Sequence, residues 1–105
     1  MIVQQTYEAD GIDLLISPVE FDAASGVTTL VDGTAAVDAI NQVTRVKTAG
    51  VATITTATSI RCVIEGWMLA PGNYSVQVRA TPLGYAQQTV AEVTFNVKAS
   101  AGPSP

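Results

Sequence analysis

The feature that most constrains the fold is a strict alternation of apolar and polar residues in two stretches of the second half of the chain. In residues 74–80, Tyr, Val, Val and Ala alternate with Ser, Gln and Arg, and in residues 91–97, Ala, Val, Phe and Val alternate with Glu, Thr and Asn. Successive side chains of a β-strand point to opposite faces of its sheet, so this pattern predicts two strands that each bury one face. The core is therefore expected to include Tyr74, Val76, Val78, Val93, Phe95 and Val97.

Further stretches rich in Val, Ile and Thr are separated by turn residues along the rest of the chain. In one of them, Ile60, Cys62 and Ile64 are predicted to form an inward row. Hairpins are predicted where Asp32-Gly33 and Ala49-Gly50 each separate two β-rich stretches, because glycine tolerates the backbone conformation of a tight turn.

Residues 35–40 also fit one or two turns of helix with Thr34 as the N-cap, but the hairpin is favoured because Asp-Gly precedes them. About seven or eight short strands with frequent turn residues predict an all-β fold, an antiparallel β-sandwich. We expect residues 1–98 to form a single domain, and residues 99–105, which are small and end in proline, to form a flexible C-terminal tail.

The surface is expected to be poor in charge. Only 13% of the residues are charged, against about 25% in an average soluble domain. Such a surface favours burial against neighbouring subunits, and the alternative is a monomer with a neutral surface. The net charge is −4 and the five basic residues form no stripe, which argues against nucleic acid as a partner.

Residues that carry catalytic or metal chemistry are scarce in this sequence. There is no histidine, and the single cysteine, Cys62, lies in an apolar stretch where it is expected to act as a small core residue. The closest approach to a cation site is the group Glu8, Asp10 and Asp13, for which solvated turn carboxylates are the favoured interpretation. We therefore expect no catalytic residues, no cofactor and no metal, and a protein that is not an enzyme.

Two short segments are candidates for contact with other proteins. Trp67-Met68-Leu69 places three large apolar residues in succession, and a strand cannot turn all three towards one core. Leu83 and Tyr85 flank a turn glycine, so at least one of them is expected to be exposed. The predicted contact residues are Trp67, Met68, Leu83 and Tyr85, and the alternative is a core tryptophan whose neighbours close one end of the sandwich.

Residues 67–78, which read WMLAPGNYSVQV, resemble the corner of many immunoglobulin-like domains, where Pro-Gly reverses the chain and a tyrosine packs at the start of the next strand. The paired cysteines of antibody domains are missing. More broadly, residues 11–98 resemble the small immunoglobulin-like structural proteins of tailed bacteriophage virions, with low-charge strands rich in Thr, Ala and Val. The resemblance implies an immunoglobulin-like sandwich and no catalytic residues to transfer.

The same resemblance implies a structural role in a virion, with capsid decoration (cement) as the leading expectation. The implied partners are the major capsid protein or tail components, with many copies on a particle or a homo-oligomer. The alternatives are a tail, baseplate or fibre-attachment component, and a carbohydrate- or cell-surface-binding module. The N-terminus lacks the features of a signal peptide and no apolar stretch is long enough to span a membrane, so synthesis in a host cytoplasm is expected.

Overall fold

β-Strands make up nearly all of the regular structure. The computed structural model describes residues 3–21 and 23–100, and for Val3 it describes the backbone alone. A single turn of 3-10 helix, Ala23–Ser25, accompanies the strands in this part of the chain. The strands are β1 (Val3–Tyr7), β2 (Ile12–Ile16), β3 (Thr34–Asn41), β4 (Lys47–Ala49), β5 (Val51–Thr56), β6 (Ser59–Ile64), β7 (Gly72–Thr81) and β8 (Gln88–Lys98).

The strands form two sheets that enclose one core. The five-stranded sheet has the order β1-β8-β7-β3-β4, and the three-stranded sheet has the order β2-β6-β5. The predicted all-β sandwich of seven or eight strands is confirmed. One pairing departs from the predicted antiparallel arrangement, because β1 runs parallel to β8 at the edge of the larger sheet.

The predicted inward rows supply most of the core. Tyr74, Val76 and Val78 on β7 are buried, as are Phe95 and Val97 on β8, whereas Val93 packs against the core only partly buried. On β6, the predicted row of Ile60, Cys62 and Ile64 is also buried. The alternation on β8 is interrupted beside Val78 and Arg79 by a register shift, typical of a β-bulge, and Val90 there turns into the core.

The predicted hairpin at Asp32-Gly33 is not formed. Residues 27–33 are not a strand, because their backbone is used in a turn and in a contact with the opposite sheet. The amide of Gly33 donates to the carbonyl of Leu30 at 2.9 Å, and the amide of Leu30 donates to the carbonyl of Ala57 at 2.7 Å. The following residues form β3 and not the alternative helix, because they pair along their whole length with β7.

The predicted hairpin at Ala49-Gly50 is also wrong, for a different reason. The chain does not reverse at Gly50: β4 pairs with β3 in one sheet, and β5 continues into the other sheet, where it pairs with β6. A Cβ atom on Gly50 would lie 2.6 Å from the Ile64 side chain and 3.1 Å from that of Val37. Glycine is therefore required where the chain crosses between the two packed sheets.

The Pro-Gly-x-Tyr corner has the predicted structural role. Tyr74 is buried at the start of β7, and its hydroxyl group donates to the backbone carbonyl of Ala70 at 2.8 Å. This bond ties the strand to the connection that precedes it, as in the tyrosine corner of immunoglobulin-like domains.

The first part of the predicted tail is hydrogen-bonded to the domain. The amide of Ala9 donates to the Ser100 hydroxyl at 2.9 Å, and the amide of Ser100 donates to the Glu8 carboxylate at 3.2 Å. The rest of the predicted tail, residues 101–105, lies outside the described residues.

Candidate protein-contact surfaces

The connections between strands gather at the two ends of the sandwich. At one end, here called the Trp67 end, lie the β1–β2, β3–β4 and β6–β7 connections, residues 8–11, 42–46 and 65–71. At the other, the Tyr85 end, lie the described parts of the β2–β3 connection and the β5–β6 and β7–β8 connections, residues 57–58 and 82–87. This division follows from the strand directions, since β3 and β8 both run antiparallel to β7.

At the Trp67 end, the three large apolar residues in succession lie in different environments. Leu69 points into the core and is buried, Met68 is 53% exposed and Trp67 is half-buried. Trp67 has a positive φ of 67°, and its amide donates to the carbonyl of Glu8 at 2.5 Å. The β6–β7 connection is thus held against the β1–β2 turn, and Met68 projects from it into solvent.

Close backbone contact explains the glycine that precedes the tryptophan. A Cβ atom on Gly66 would lie 2.1 Å from the carbonyl oxygen of Ala9, so another residue at this position would push the two connections apart. Gly66 therefore marks a close approach of two loops.

The Tyr85 end presents the second predicted segment. Pro82 is buried, while Leu83 is 67% exposed and Tyr85 is 49% exposed. The amide of Tyr85 donates to the carbonyl of Pro82 at 3.0 Å, and Gly84 has a φ of 81°. This tight turn directs both large side chains away from the core.

The four predicted contact residues do not form one surface. Trp67 and Met68 precede β7, whereas Leu83 and Tyr85 follow it. A strand of this length spans about 30 Å, and the longest dimension of the molecule is 47 Å. The prediction of exposed apolar side chains stands for three of the four residues, but they belong to two separate candidate contact surfaces.

Other exposed apolar residues at the Trp67 end were not predicted. Val43, Val46 and Tyr7 are all more than half exposed there. Val43 lies in a turn, where the Asn41 side chain accepts hydrogen bonds from the amides of Val43 and Thr44 at 2.9 and 3.0 Å. Asparagine commonly starts such a turn, so its position before the valine was the available signal.

An open groove lies on the outer face of the five-stranded sheet. Its volume is about 420 Å³. The Gln77 amide donates to the Glu92 carboxylate at 3.1 Å across it. Hydroxyl and amide groups dominate the lining residues, which are Ile40, Gln42, Arg45, Ser75, Gln77, Glu92 and Thr94.

The carboxylates considered for a cation site are not gathered. Asp13 forms an ion pair with Arg61 at 2.6 Å, and Glu8 accepts from the backbone of Ser100. Within residues 3–21 and 23–100, no group of three or more acidic or cysteine side chains could hold a metal ion. Burial raises the pKa of Cys62 to about 11, which keeps this thiol protonated at neutral pH.

In comparisons with known proteins, no family model, curated protein or solved structure matches the chain. In the part of the chain that the structure describes, no helix is long and apolar enough to cross a membrane.

Proposed function

We propose that this protein is a non-enzymatic structural protein of a bacteriophage virion that decorates the capsid by binding the major capsid protein. The observation that carries the proposal is the exposure of large apolar side chains at the ends of the sandwich. Four of them lie at the Trp67 end and three at the Tyr85 end: Tyr7, Val43, Val46 and Met68, and Val31, Leu83 and Tyr85. Exposed apolar side chains grouped in this way are typical of surfaces that are covered by another protein.

The Trp67 end is the better candidate for the surface that faces the shell. Val43 is 88% exposed, and Met68, Val46 and Tyr7 at the same end are each more than half exposed. The half-buried Trp67 is a residue type enriched at the centre of protein interfaces. The exposed charged residues Arg45 and Glu65 lie in the β3–β4 and β6–β7 connections at the same end, where they could contribute to a charged rim.

The low charge of the whole surface supports assembly in the same way. Ser75, Gln77 and Thr94 lie on the outer face of the larger sheet and Thr53 on that of the smaller sheet, and uncharged groups cost less to desolvate than charged groups do. A small domain with such a surface suits a position among neighbouring subunits. The same features would serve a protein of the tail or baseplate, so the test described below must determine where on the particle the chain lies.

Carbohydrate binding receives less support from the structure. Sugars usually stack on exposed aromatic rings, and the residues that line the groove on the five-stranded sheet include no aromatic residue. The exposed Tyr7 and Tyr85 lie at opposite ends of the sandwich and cannot form one platform.

The test uses virions of the phage that encodes the chain. Quantitative mass spectrometry of purified particles should find the chain in many copies. Labelled antibodies against the chain should bind to the head of the particle. Particles stripped of the protein should rebind the wild type, and Met68→Asp should weaken rebinding by about tenfold or more if Met68 lies within the interface.

Leu83→Asp provides the matched control, since it places the same charge on an exposed apolar residue at the other end. It should rebind like the wild type. Absence of the chain from purified virions, or equal rebinding by Met68→Asp and the wild type, would contradict the proposal. If the antibodies label the tail, the binding partner is a tail protein and not the major capsid protein.

A further inference from the structure

One continuous segment forms an edge of both sheets on the same side of the sandwich. β4 is the last strand of the five-stranded sheet, and β5 is the last strand of the three-stranded sheet. The two are joined by Gly50 alone. Among the described residues, the backbone of β5 pairs only with β6, so its other side presents unpaired amide and carbonyl groups.

This edge lacks charge over an unusual length. No charged residue occurs in residues 48–60, between Lys47 and Arg61. β5 also contains neither proline nor glycine, and Val51 on it is 67% exposed. Charged side chains, proline and very short strands are the usual means by which a sheet edge avoids pairing with another chain.

The remaining edges carry such protection. β4 has three residues and begins with Lys47, close to Arg45. β2 carries Asp13, which is paired with Arg61, and ends just before Pro18. β1 leads directly into Glu8 and Asp10. β5 is therefore the least protected of the edge strands in the described part of the chain.

We propose that β5 is a self-association edge, which pairs antiparallel with β5 of a second copy of this chain about a twofold axis. Two copies carry a net charge of −4 each and repel one another, so they meet best where neither carries charge. A twofold contact also requires a surface that complements itself. An uncharged strand with a row of Val51, Thr53 and Thr55 on one face meets this condition.

The pairing joins the two three-stranded sheets into one sheet of six strands. The register shift between Ile54 and Thr56 limits the regular part of the edge to Val51–Ile54. A twofold axis at Thr53, within this short segment, makes a small interface, so the dissociation constant is expected to be on the order of 0.1–1 mM in free solution. Association becomes substantial where many copies are held close together. This inference concerns contact between copies and does not depend on which surface binds a shell.

Amide hydrogen exchange on the wild-type protein tests the contact directly. Exchange at Val51–Ile54 should slow as the concentration rises from about 10 µM to about 1 mM, while exchange in β2 at the other edge of the same sheet stays constant. Sedimentation over the same range should show the mass move from monomer towards dimer. A monomer at about 1 mM with concentration-independent exchange in β5 would overturn the proposal.

The substitution Thr53→Lys has a closely matched control. Leu15 on β2 and Thr53 on β5 both lie directly beside Arg61, in one cross-strand row on the outer face. Lysine at either position therefore meets the same neighbour within the monomer. Thr53→Lys should weaken dimerisation about fivefold, because like charges then face each other across the twofold axis. Leu15→Lys should dimerise like the wild type.

Equal dimerisation by both variants, or equal loss in both, would show that β5 is not the contact. Should Thr53→Lys fail to fold, the wild-type exchange experiment still decides the question. Loss of particle rebinding in Met68→Asp with dimerisation intact would separate the shell contact from the contact between copies.

Discussion

The two sheets share one core but are built differently. The five-stranded sheet contains the two longest strands, β7 with 10 residues and β8 with 11, whereas no strand of the three-stranded sheet exceeds six. Each sheet carries an Asp–Arg ion pair on its outer face. The side chains of Arg79 and Asp38 on the larger sheet are 27% and 16% exposed, and those of Arg61 and Asp13 on the smaller sheet are 56% and 58% exposed.

This difference indicates a division of roles. The larger sheet contributes more buried core residues, from β3, β7 and β8, than the smaller sheet does from β2 and β6. The smaller sheet leaves Leu15 and Val51 exposed on its outer face, together with the uncharged edge of β5. Contact with other molecules is therefore expected from the smaller sheet and from the ends of the sandwich.

The largest expected effect comes from the core of the larger sheet. Phe95→Ala removes a buried aromatic side chain from β8 and should lower the free energy of unfolding by about 3–5 kcal/mol. Ile54→Ala on the edge strand β5 removes a half-buried side chain and should cost about 1–2 kcal/mol. Urea unfolding of both variants measures the difference. A loss below about 1 kcal/mol for Phe95→Ala would show that β8 does not anchor the core.

A smaller effect separates the two ion pairs. Asp38→Ala leaves the partly buried Arg79 without its carboxylate, and the Arg79 Nε already has no hydrogen-bond partner, so we expect a loss of about 1–3 kcal/mol. The same substitution at Asp13 should cost less, because water solvates Arg61 once its partner is removed. Thermal unfolding of both variants checks the order, and a larger loss at Asp13 would reverse the assignment of roles.

The smallest effect is a dependence on pH at the exposed pair. The hydrogen bond from Arg61 lowers the pKa of Asp13 below its ordinary value. A lowered pKa in the folded state means that the pair stabilises the fold above the unfolded pKa, near 4, and that this contribution is lost as the pH falls through the lower folded value. The stability difference between the wild type and Asp13→Asn should therefore disappear in acid and shrink in high salt. A difference that stayed constant from neutral pH to strongly acidic pH would exclude the pair as its cause.

Periodicity predicted the strands well where it was strong. β7, β8 and β6 lie where the alternation places them, because a strand with one buried face must repeat its apolar residues every second position. The turn residues were less informative. Asp32-Gly33 and Ala49-Gly50 both occur at changes of direction, but the first belongs to a long connection and the second to a crossing between sheets.

The candidate contact surfaces could be predicted only in part. A large apolar residue beside a turn glycine has few ways to reach the core, so the exposure of Leu83 and Tyr85 could be predicted from local sequence. The exposure of Met68 could be predicted because three large apolar residues in succession cannot all face one core. The separation of these residues could not, since it depends on β7 lying between them. Val43 escaped prediction because a valine alone does not reveal that the asparagine before it has started a turn.

Local sequence is enough to predict that the chain forms strands, which of their faces point inward and which large apolar residues beside turns stay exposed. These properties depend on neighbours one or two positions apart, which the sequence displays. The folded arrangement sets which strands share a sheet, that β1 runs parallel to β8 and that the chain changes sheets at Gly50. It also sets which edge remains uncovered. Each of these depends on backbone pairing between residues far apart in the chain, and backbone groups are alike in every residue except proline.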